Sequence, residues 1–555
     1  MRRAAVRAFR TTCQCTVRGL SKASRRSFLI QNPAFAPSAR LSSTYRPRPE
    51  YAIGEPLKSS MYIRRFSAAL VSTLVGYGAW YTYKGNGTDP TQAITRSYSN
   101  GRPADDALPT RSVLVIGANE LHTGTIVGDG PISKTTDDEG RKVLEMLTSD
   151  QATQKLRKNE QSYFVNRGQG VVRYDLVQLP SNDPIEDDHA EKIVEIPGKA
   201  EAAEPSANSD WMFWGVFDGH SGWTTSAKLR QTLINYVARE LNETYQTGSV
   251  NPDPDAVEAA IKTGFTRLDD ELVHQSVQQV LKSNNKAVAA ELLAPALSGS
   301  CALLSFYDSK SNLLRVACTG DSRAVLGRRS ESGKWTATQL SEDQTGSNPN
   351  EAARMRKLHP GEEHVIRNGR VLGGLEPTRA FGDASYKWSR DISDRLRQSF
   401  FGRSVSPLLK TPPYVTAEPV VTTTKIQPEK GDFLVMATDG LWEMLTSEEV
   451  VGLVGKWIEN QAAASANSQF DSVWSKIFGG QKGLPVEPGK IASEDDGQKT
   501  PIRLRQWGVS PDTDRFVVQD NNVATHLIRN ALGGKNEEQV TALLTLPSPY
   551  SRRYR

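Results

Sequence analysis

The sequence has few cysteines, and its first 49 positions contain no acidic residue. Only four cysteines occur among 555 residues, and Cys13 and Cys15 lie in that acid-free segment. Such sparse cysteine excludes a disulfide framework. We expect the other two, Cys301 and Cys318, to be buried thiols, because apolar residues typical of strands flank both of them.

The small positive net charge belongs to the amino-terminal segment. Residues 1–49 hold ten Arg and one Lys, whereas the whole chain has 68 basic and 63 acidic side chains, formally +5. Taking these eleven charges away leaves about −6 for the rest of the chain. That balance argues against a protein that binds nucleic acid through overall positive charge, and we predict no nucleic-acid partner.

The acid-free segment has the composition of a targeting signal. It is rich in Arg and Ser, carries spaced apolar residues, and lacks the compact apolar region of a secretory signal. We therefore predict that residues 1–49 are a mitochondrial presequence. A basic tail that binds nucleic acid or anionic lipid is the alternative.

Residues 66–83 form an uncharged run of 18 residues, with Arg64 and Arg65 before it and Lys84 after it. As a helix, this run is about 27 Å long, close to the roughly 30 Å hydrocarbon core of a bilayer. It predicts one transmembrane helix in the mitochondrial inner membrane, with an amphipathic or buried helix as the alternative. The arginines on its amino-terminal side predict that the body faces the intermembrane space. Residues 84–110 are predicted to be a linker.

The remainder of the chain combines strand-like and helix-like segments. Short apolar runs occupy residues 171–177, 212–217, 302–307, 313–319, 324–327 and 433–437, and helical spacing covers 225–242, 255–279 and 350–357. Thr148 and Gln151 have the spacing of a capping box that starts another helix. The order of these segments predicts an α+β domain over residues 111–555. Two polar insertions, 197–210 and 461–514, are predicted to lie on its surface.

Acidic residues recur where predicted strands end. Asp218, Asp321 and Asp439 each follow an apolar run, and Glu186 with Asp187 forms a further acidic pair. Carboxylate oxygens without cysteine ligands favour Mg²⁺ or Mn²⁺ over zinc. Two such ions can bind a phosphate group, activate water and stabilise in-line displacement. One Asp-Gly pair is more often a turn, but several in order indicate a site.

The ordered set of motifs resembles the metal-dependent protein phosphatases, the PPM or protein phosphatase type 2C family. The motifs are Glu-Asp at 186–187, Phe-Asp-Gly-His-x-Gly at 217–222, Gly-x-x-Ala at 299–302, Gly-Asp-Ser-Arg at 320–323, Arg-Ala-Phe-Gly-Asp at 379–383 and Thr-Asp-Gly-Leu-Trp-Glu at 438–443. The match covers about residues 144–549. The segments around 182–187, 379–388, 411–419 and 524–529 resemble the mitochondrial, pyruvate dehydrogenase phosphatase-like branch.

The resemblance implies a two-sheet antiparallel β-sandwich flanked by helix pairs. It also implies that the substrates are proteins carrying phosphoserine or phosphothreonine, possible targets including pyruvate dehydrogenase, and that the cofactors are two Mg²⁺ or Mn²⁺ ions with a weaker third one. The implied ion-site residues are Asp218, the Gly219 carbonyl, Asp439, Glu186, Asp187, Asp321 and Glu443. His220 is the implied general acid that protonates the departing oxygen. A histidine that only packs at the rim is the alternative.

The sequence departs from the family pattern in two places. Many members have a phosphate-binding arginine where this chain has Asn182, which leaves a neutral group to contact substrate. The chain also ends at Arg555, before the Asp-Asp motif and the final strand that the family pattern continues with. A truncated gene model and a variant with impaired catalysis both explain this ending, and Asp520 is the one candidate for a replacement ligand. The alternative function is a catalytically weak pseudophosphatase that binds phosphoproteins at the membrane.

Overall fold

The computed structural model describes residues 109–554, except 118–119, 129, 133–134, 197–207, 248–251, 466–482 and 488–514. The predicted presequence (1–49), the predicted span (66–83) and nearly all of the linker (84–110) lie outside the described residues. Within the described ranges, no helix combines the length and the apolar character needed to cross a bilayer.

A five-stranded antiparallel sheet forms the centre of the domain. Its strands in spatial order are β17 (Val420–Lys425), β11 (Leu313–Thr319), β10 (Ala302–Asp308), β7 (Ser209–Phe217) and β6 (Asp188–Ile196). Every residue of β10 is buried, because both of its faces are covered.

A second antiparallel sheet packs against the first. Its strands in spatial order are β13 (Trp335–Gln339), β12 (Arg323–Arg329) and β18 (Phe433–Ala437). Met212 and Leu303 of the first sheet share one buried cluster with Ala324 and Leu326 of the second. The facing surfaces of the two sheets therefore form one apolar core.

Helices cover the outer face of each sheet. Those outside the five-stranded sheet include α2 (Thr224–Thr247), which packs on β6 and β7, and α3 (Pro254–Asp270), which packs on α2. Those outside the three-stranded sheet include α9 (Ser447–Ser465) and α10 (Val523–Leu532), which pack on each other. The remaining α-helices among the described residues are α1 (Ser149–Arg157), α4 (Ser276–Ser283), α5 (Lys286–Leu297), α6 (Pro349–Leu358), α7 (Arg390–Ser399), α8 (Asp439–Trp442), α11 (Glu537–Thr545) and α12 (Ser551–Tyr554). Short 3₁₀ turns occupy Ala384–Tyr386 and Pro428–Lys430.

Four smaller sheets complete the described part of the domain. One has the order β2 (Leu121–Val127), β1 (Thr110–Ile116), β3 (Lys142–Glu145), and two are the pairs β4 (Gln161–Phe164) with β5 (Arg173–Leu176) and β14 (Ile366–Arg367) with β15 (Arg370–Val371). The fourth contains three strands of two residues each: β8 (Gly219–His220), β9 (Gly299–Ser300) and β16 (Phe381–Gly382). We call this last one the small site sheet, because it carries His220.

The predicted α+β class and the antiparallel sheets are confirmed. The capping box is present, with Gln151 N–H donating to Thr148 Oγ1 at 3.2 Å and Thr148 N–H donating to Gln151 Oε1 at 2.9 Å. The helix predicted over 255–279 is interrupted by a π-helical turn at Glu271–Gln275. The two body cysteines are buried free thiols, as predicted. Most of the two polar insertions lies outside the described residues.

Candidate active site

Three aspartates meet where the two main sheets end. Asp218 directly follows β7 of the five-stranded sheet, Asp439 begins α8 one residue after β18 of the three-stranded sheet, and Asp321 lies in the turn from β11 to β12. One carboxylate oxygen from each lies within 4.8 Å of the others. Ends of strands from both layers thus bring together residues that are far apart in sequence.

The register of β6 against β7 adds the acidic pair to this cluster. Asp188, the first residue of β6, pairs with Phe217, the last residue of β7. Glu186 and Asp187 precede that pair, so they emerge beside Asp218. The antiparallel pairing of β6 with β7 therefore makes Glu186 and Asp187 neighbours of Asp218.

Gly219 is required by close backbone approach. A Cβ at this position would overlap the carbonyl oxygen of Glu186 and the hydroxyl of Ser226, and Ser226 itself donates a hydrogen bond to that carbonyl. Any side chain at 219 would push the segment that contains Glu186 away from Asp218. The glycine thus keeps the two acidic segments together.

The Glu186 carboxylate accepts two hydrogen bonds. Gly222 N–H donates to Oε1 at 2.7 Å, and Asn182 Nδ2 donates to Oε2 at 2.5 Å. Asn182 was predicted to contact substrate, and in the structure its amide orients Glu186. Glu186 is consequently fixed from two sides before any substrate arrives.

The turn that carries Asp321 is held by a buried glutamine. Gly320 has a φ of +111°, and its N–H donates to Gln344 Oε1 at 2.8 Å. Gln344 Nε2 in turn donates to the Cys318 carbonyl at 3.0 Å. On the other side, the Cys301 thiol donates to Asp321 Oδ1 at 3.2 Å.

Glu443 and Asp520 differ in placement. Glu443 N–H donates to the Asp439 carbonyl at 2.8 Å, which places Glu443 one helical turn from the cluster. The Asp520 carboxylate is enclosed by arginines, with Arg529 Nε at 2.6 Å and Arg157 Nη2 at 2.8 Å. Those ion pairs hold the pKa of Asp520 below its ordinary value, although burial opposes them. In the structure the Asp520 carboxylate is therefore the ion-pair partner of Arg157 and Arg529.

Crowding raises the proton affinity of the acidic cluster. Burial raises the pKa of Asp218 well above its ordinary value, and the negative charges of Asp439, Asp187 and Asp321 add to this. The pKa of Asp439 is also raised well above its ordinary value, by burial and then by Asp321 and Glu443. Burial, together with Glu186, raises the pKa of Asp187. Keeping these carboxylates ionised therefore costs free energy unless a cation binds between them.

The cluster fits divalent cations. Its ligand atoms are hard oxygens at spacings that one or two small ions can bridge, and the mutual repulsion that raises the pKa values is what bound cations would relieve. The thiol nearest to the cluster, Cys301, is a poor ligand, because burial and the charge of Asp321 raise its pKa well above the ordinary value. This donor set matches Mg²⁺ or Mn²⁺ rather than a thiophilic metal.

His220 lies beside the acidic cluster and contacts Asp383. Its Nε2 is 2.6 Å from Asp383 Oδ2, and the side chains are only 20% and 5% exposed. Burial by itself would lower the pKa of His220, but the Asp383 carboxylate and the charges of Asp321 and Glu186 oppose burial, and the net pKa is raised. A raised pKa is in the direction that suits an imidazole acting as a proton donor.

Sequence reasoning missed two contributors to this site. Asp383 is part of a quoted motif, but no role was predicted for it, because its partner His220 is 163 positions away. Gln344 lies in no motif, and nothing local in the sequence indicates its bonds to the Asp321 turn.

Comparison with known proteins identifies the family. The family model for protein phosphatase 2C matches residues 186–470, a range that contains Glu186, Asp218, Asp321 and Asp439. The chain belongs to the protein phosphatase 2C family, and it is a protein serine/threonine phosphatase.

Its relatives define the branch. The chain is 44% identical over 410 residues to a protein phosphatase 2C homolog of Schizosaccharomyces pombe, covering 73% of this chain and 83% of that protein. It is 44% identical over 429 residues to the mitochondrial pyruvate dehydrogenase (acetyl-transferring) phosphatase 1 of Saccharomyces cerevisiae, covering 74% of this chain and 71% of that protein. The Bos taurus phosphatase of the same name is 31% identical over 480 residues, covering 74% of this chain and 81% of that protein. This chain is thus a member of the pyruvate dehydrogenase phosphatase-like branch, and the pseudophosphatase alternative gains no support.

Proposed function

We propose that this phosphatase acts in mitochondria, that pyruvate dehydrogenase is its substrate, and that it requires Mg²⁺ or Mn²⁺. The observation that carries the metal dependence is the meeting of carboxylate oxygens of Asp218, Asp321 and Asp439 within 4.8 Å of one another. The similarity to mitochondrial pyruvate dehydrogenase phosphatases motivates the substrate and the compartment.

The residues that would hold the ions are those that the family resemblance implies. Asp218, the Gly219 carbonyl and Asp439 would bind two ions, with Glu186 and Asp187 beside them. Asp321 and Glu443 would serve a third. When bound, the ions supply positive charge for the phosphate group and activate the attacking water.

His220 supplies the proton for the leaving group. Hydrolysis breaks the bond between phosphorus and the serine or threonine oxygen, and the water oxygen takes the vacant place on phosphorus. An alkoxide is a poor leaving group, so a proton from the imidazolium must reach the departing oxygen as the bond breaks. The products are the free hydroxyl side chain and inorganic phosphate, with His220 left neutral.

Arg403 is the cation that we assign to substrate binding at the rim. Asn182 cannot form an ionic clamp on phosphate, and its amide is engaged by Glu186. The exposed Arg403 guanidinium donates to the Ser221 carbonyl at 3.3 Å, directly after His220 in sequence. Trp223 and Phe401, which lie near these residues in sequence, are 49% and 53% exposed. An arginine with exposed aromatic side chains suits an anionic phosphopeptide.

Residues 1–49 are the proposed mitochondrial presequence. If residues 66–83 span the inner membrane and the phosphatase domain faces the intermembrane space, the enzyme is separated from a substrate in the matrix. The predicted location of the domain therefore conflicts with pyruvate dehydrogenase as the substrate. Carbonate extraction of isolated mitochondria tests the span. Protease treatment of mitoplasts tests the side, because a body in the intermembrane space is digested and a body in the matrix is protected.

Phosphate release by the purified full chain tests the function. We expect release from phosphorylated pyruvate dehydrogenase with Mg²⁺ or Mn²⁺, none in EDTA, and a loss greater than about 100-fold in Asp439→Asn, because a ligand and its charge are removed. Asp394→Asn, the same change on the surface of α7, is the matched control and should retain full activity. Activity that persists in EDTA contradicts the metal dependence. Equal rates on an unrelated phosphoprotein contradict the substrate.

A further inference from the structure

The described structure contains a carboxylate whose position suits control of the catalytic histidine. Asp383 lies 163 residues from His220 in sequence, yet its Oδ2 is 2.6 Å from the His220 Nε2. We propose that Asp383 is a positioning residue that orients His220 so that its other ring nitrogen, Nδ1, faces the departing serine or threonine oxygen. This inference rests on the proposed function.

The small site sheet determines how the two side chains meet. His220 of β8 pairs with Gly299 of β9, and Gly299 pairs on its other side with Gly382 of β16. Asp383 directly follows Gly382, so His220 and Asp383 flank the same glycine. A Cβ at Gly299 would overlap both His220 Nε2 and Asp383 Oδ2. The hydrogen bond therefore crosses above a residue that must lack a side chain.

The backbone of Asp383 is held independently of the acidic cluster. Its φ of +46° places it in the left-handed region, and its N–H donates to the Ser298 carbonyl at 2.9 Å. The preceding residue, Gly382, donates its N–H to Asp269 Oδ1 at 2.9 Å. A non-glycine residue in this conformation persists only where its surroundings hold it.

A buried ion pair anchors that support. Lys387 Nζ lies 2.7 Å from Asp269 Oδ2 and also donates to the Ala380 carbonyl at 2.8 Å. Lys387 thereby bonds to the backbone that precedes Gly382 and to the carboxylate that accepts the Gly382 N–H. Asp383 itself is only 4% exposed. The carboxylate is thus fixed before substrate arrives, as a positioning group must be.

The contact also decides which nitrogen transfers the proton. With Nε2–H donating to Asp383, the proton lost to the leaving group comes from Nδ1. The product is a neutral imidazole that keeps Nε2–H and its hydrogen bond. Asp383 gains and loses no proton in this cycle, and it contacts neither phosphorus nor the departing oxygen.

The test uses substrates that differ in their need for a proton. A phosphoserine peptide needs its leaving oxygen protonated, whereas p-nitrophenyl phosphate releases a stable phenolate. In the full chain with Mn²⁺, we expect Asp383→Asn to lower kcat on the peptide by about 10- to 100-fold and kcat on p-nitrophenyl phosphate by less than about 3-fold, within the range that acid catalysis contributes. Asp394→Asn should change neither rate. Equal losses on both substrates would overturn the inference, because they indicate general damage to the site.

A double-mutant comparison examines whether Asp383 acts through His220. In a His220→Gln background, Asp383→Asn should cause little further loss on the peptide, since the residue to be positioned is gone. If the activity loss of the double mutant equals the product of the two single losses, the inference is contradicted. If the parent enzyme releases no phosphate with Mg²⁺ or Mn²⁺, the proposed function fails. If the parent is active and Asp383→Asn is as active on the peptide, only the present inference fails.

A measurement on the parent protein covers the case in which Asp383→Asn does not fold. Nuclear magnetic resonance of the full chain with ¹⁵N-labelled histidine should show a proton on Nε2 of one imidazole in a strong hydrogen bond. That signal should vanish in His220→Gln. An Nε2 of His220 without a bound proton would contradict the proposed orientation.

Discussion

At the scale of single residues, the site depends on two glycine positions that have no room for a side chain. Gly219 and Gly299 have no room for a Cβ, since one would meet the Glu186 carbonyl and the other would meet both His220 and Asp383. Each glycine therefore maintains a distance between two functional side chains. Both glycines stand in motifs quoted from the sequence, but only the packed structure gives the steric reason for them.

A prediction at this scale concerns Arg403. Replacing it with Ala should raise KM for a phosphoserine peptide by about 5- to 50-fold and leave kcat within about 2-fold, because we assign its charge to substrate binding and give it no part in proton transfer. Steady-state kinetics at fixed Mn²⁺ and fixed ionic strength measure both constants.

Arg395→Ala is the matched control for this experiment, since Arg395 is an exposed arginine of α7 in the same part of the chain. Its KM should equal that of the parent. A large fall in kcat with unchanged KM in Arg403→Ala would assign that arginine to the chemical step and contradict its role at the rim.

At the scale of elements, the sequence predicted what has a local pattern. Apolar runs identified β7, β10, β11 and β18, and the aspartates that follow strands identified most of the acidic cluster. The three strands of the small site sheet have two residues each, too short for any alternation to be visible. The contact between His220 and Asp383 depends on those strands and could not be predicted without them.

Long-range packing also changed the interpretation of one insertion. The polar segment 461–514 was predicted to lie on the surface. Within it, Leu484 and Val486 pack against the cluster around Trp335, and Trp335 N–H donates to the Pro485 carbonyl at 2.9 Å. Two apolar residues in a polar stretch are too weak a signal to predict this packing, because Trp335 lies more than a hundred positions earlier in the chain.

A prediction for the β11–β12 turn follows from Gln344. Replacing this buried side chain with Ala leaves the Gly320 N–H and the Cys318 carbonyl without their partner. We expect the free energy of unfolding to fall by about 2 kcal/mol. We also expect weaker Mn²⁺ activation, because Asp321 is on the same turn.

Urea unfolding and Mn²⁺ titration of activity measure the two effects. Gln246→Ala, at an exposed position in α2, is the control and should change stability by less than about 0.5 kcal/mol. Stability loss with unaltered Mn²⁺ activation would separate Gln344 from the ion site.

At the scale of the whole molecule, a buried histidine links two helices and makes stability depend on pH. His526 of α10 donates from Nε2 to the Leu453 carbonyl of α9 at 3.2 Å, and its Nδ1 accepts from Asn530 Nδ2 at 3.2 Å. Both contacts suit the neutral ring. Burial lowers the pKa of His526 to about 4, and Lys456 and Arg529 add to this while the Leu453 carbonyl and Asp520 oppose it.

The sign of the pH effect follows from proton uptake. An unfolded histidine gains its proton near pH 6.5, whereas folded His526 stays neutral down to about pH 4. The unfolded state therefore binds more protons in this window, and the free energy of unfolding should fall by about 3 kcal/mol as pH drops through it. Below pH 4 this contribution no longer changes.

Urea unfolding between pH 7 and pH 4 measures the slope, and His526→Gln is the comparison variant. The raised pKa values of the site aspartates act in the opposite direction, but they titrate alike in both proteins and cancel in the difference. We expect the difference in stability to shrink or reverse in favour of His526→Gln as the pH falls. Parallel profiles for the two proteins would contradict the assignment.

The origin of the three aspartates from both layers has a mechanical consequence. A slip of one sheet past the other by a single residue would move Asp218 relative to Asp439 by about 3.3 Å, which is comparable to the 4.8 Å within which their ligand atoms now lie. Alignment of the two layers and assembly of the ligand set are therefore one event. A cut of the chain between β12 and β18 would leave Asp218 and Asp321 on one fragment and Asp439 on the other, and phosphate release would return only when β18 pairs with β12 again.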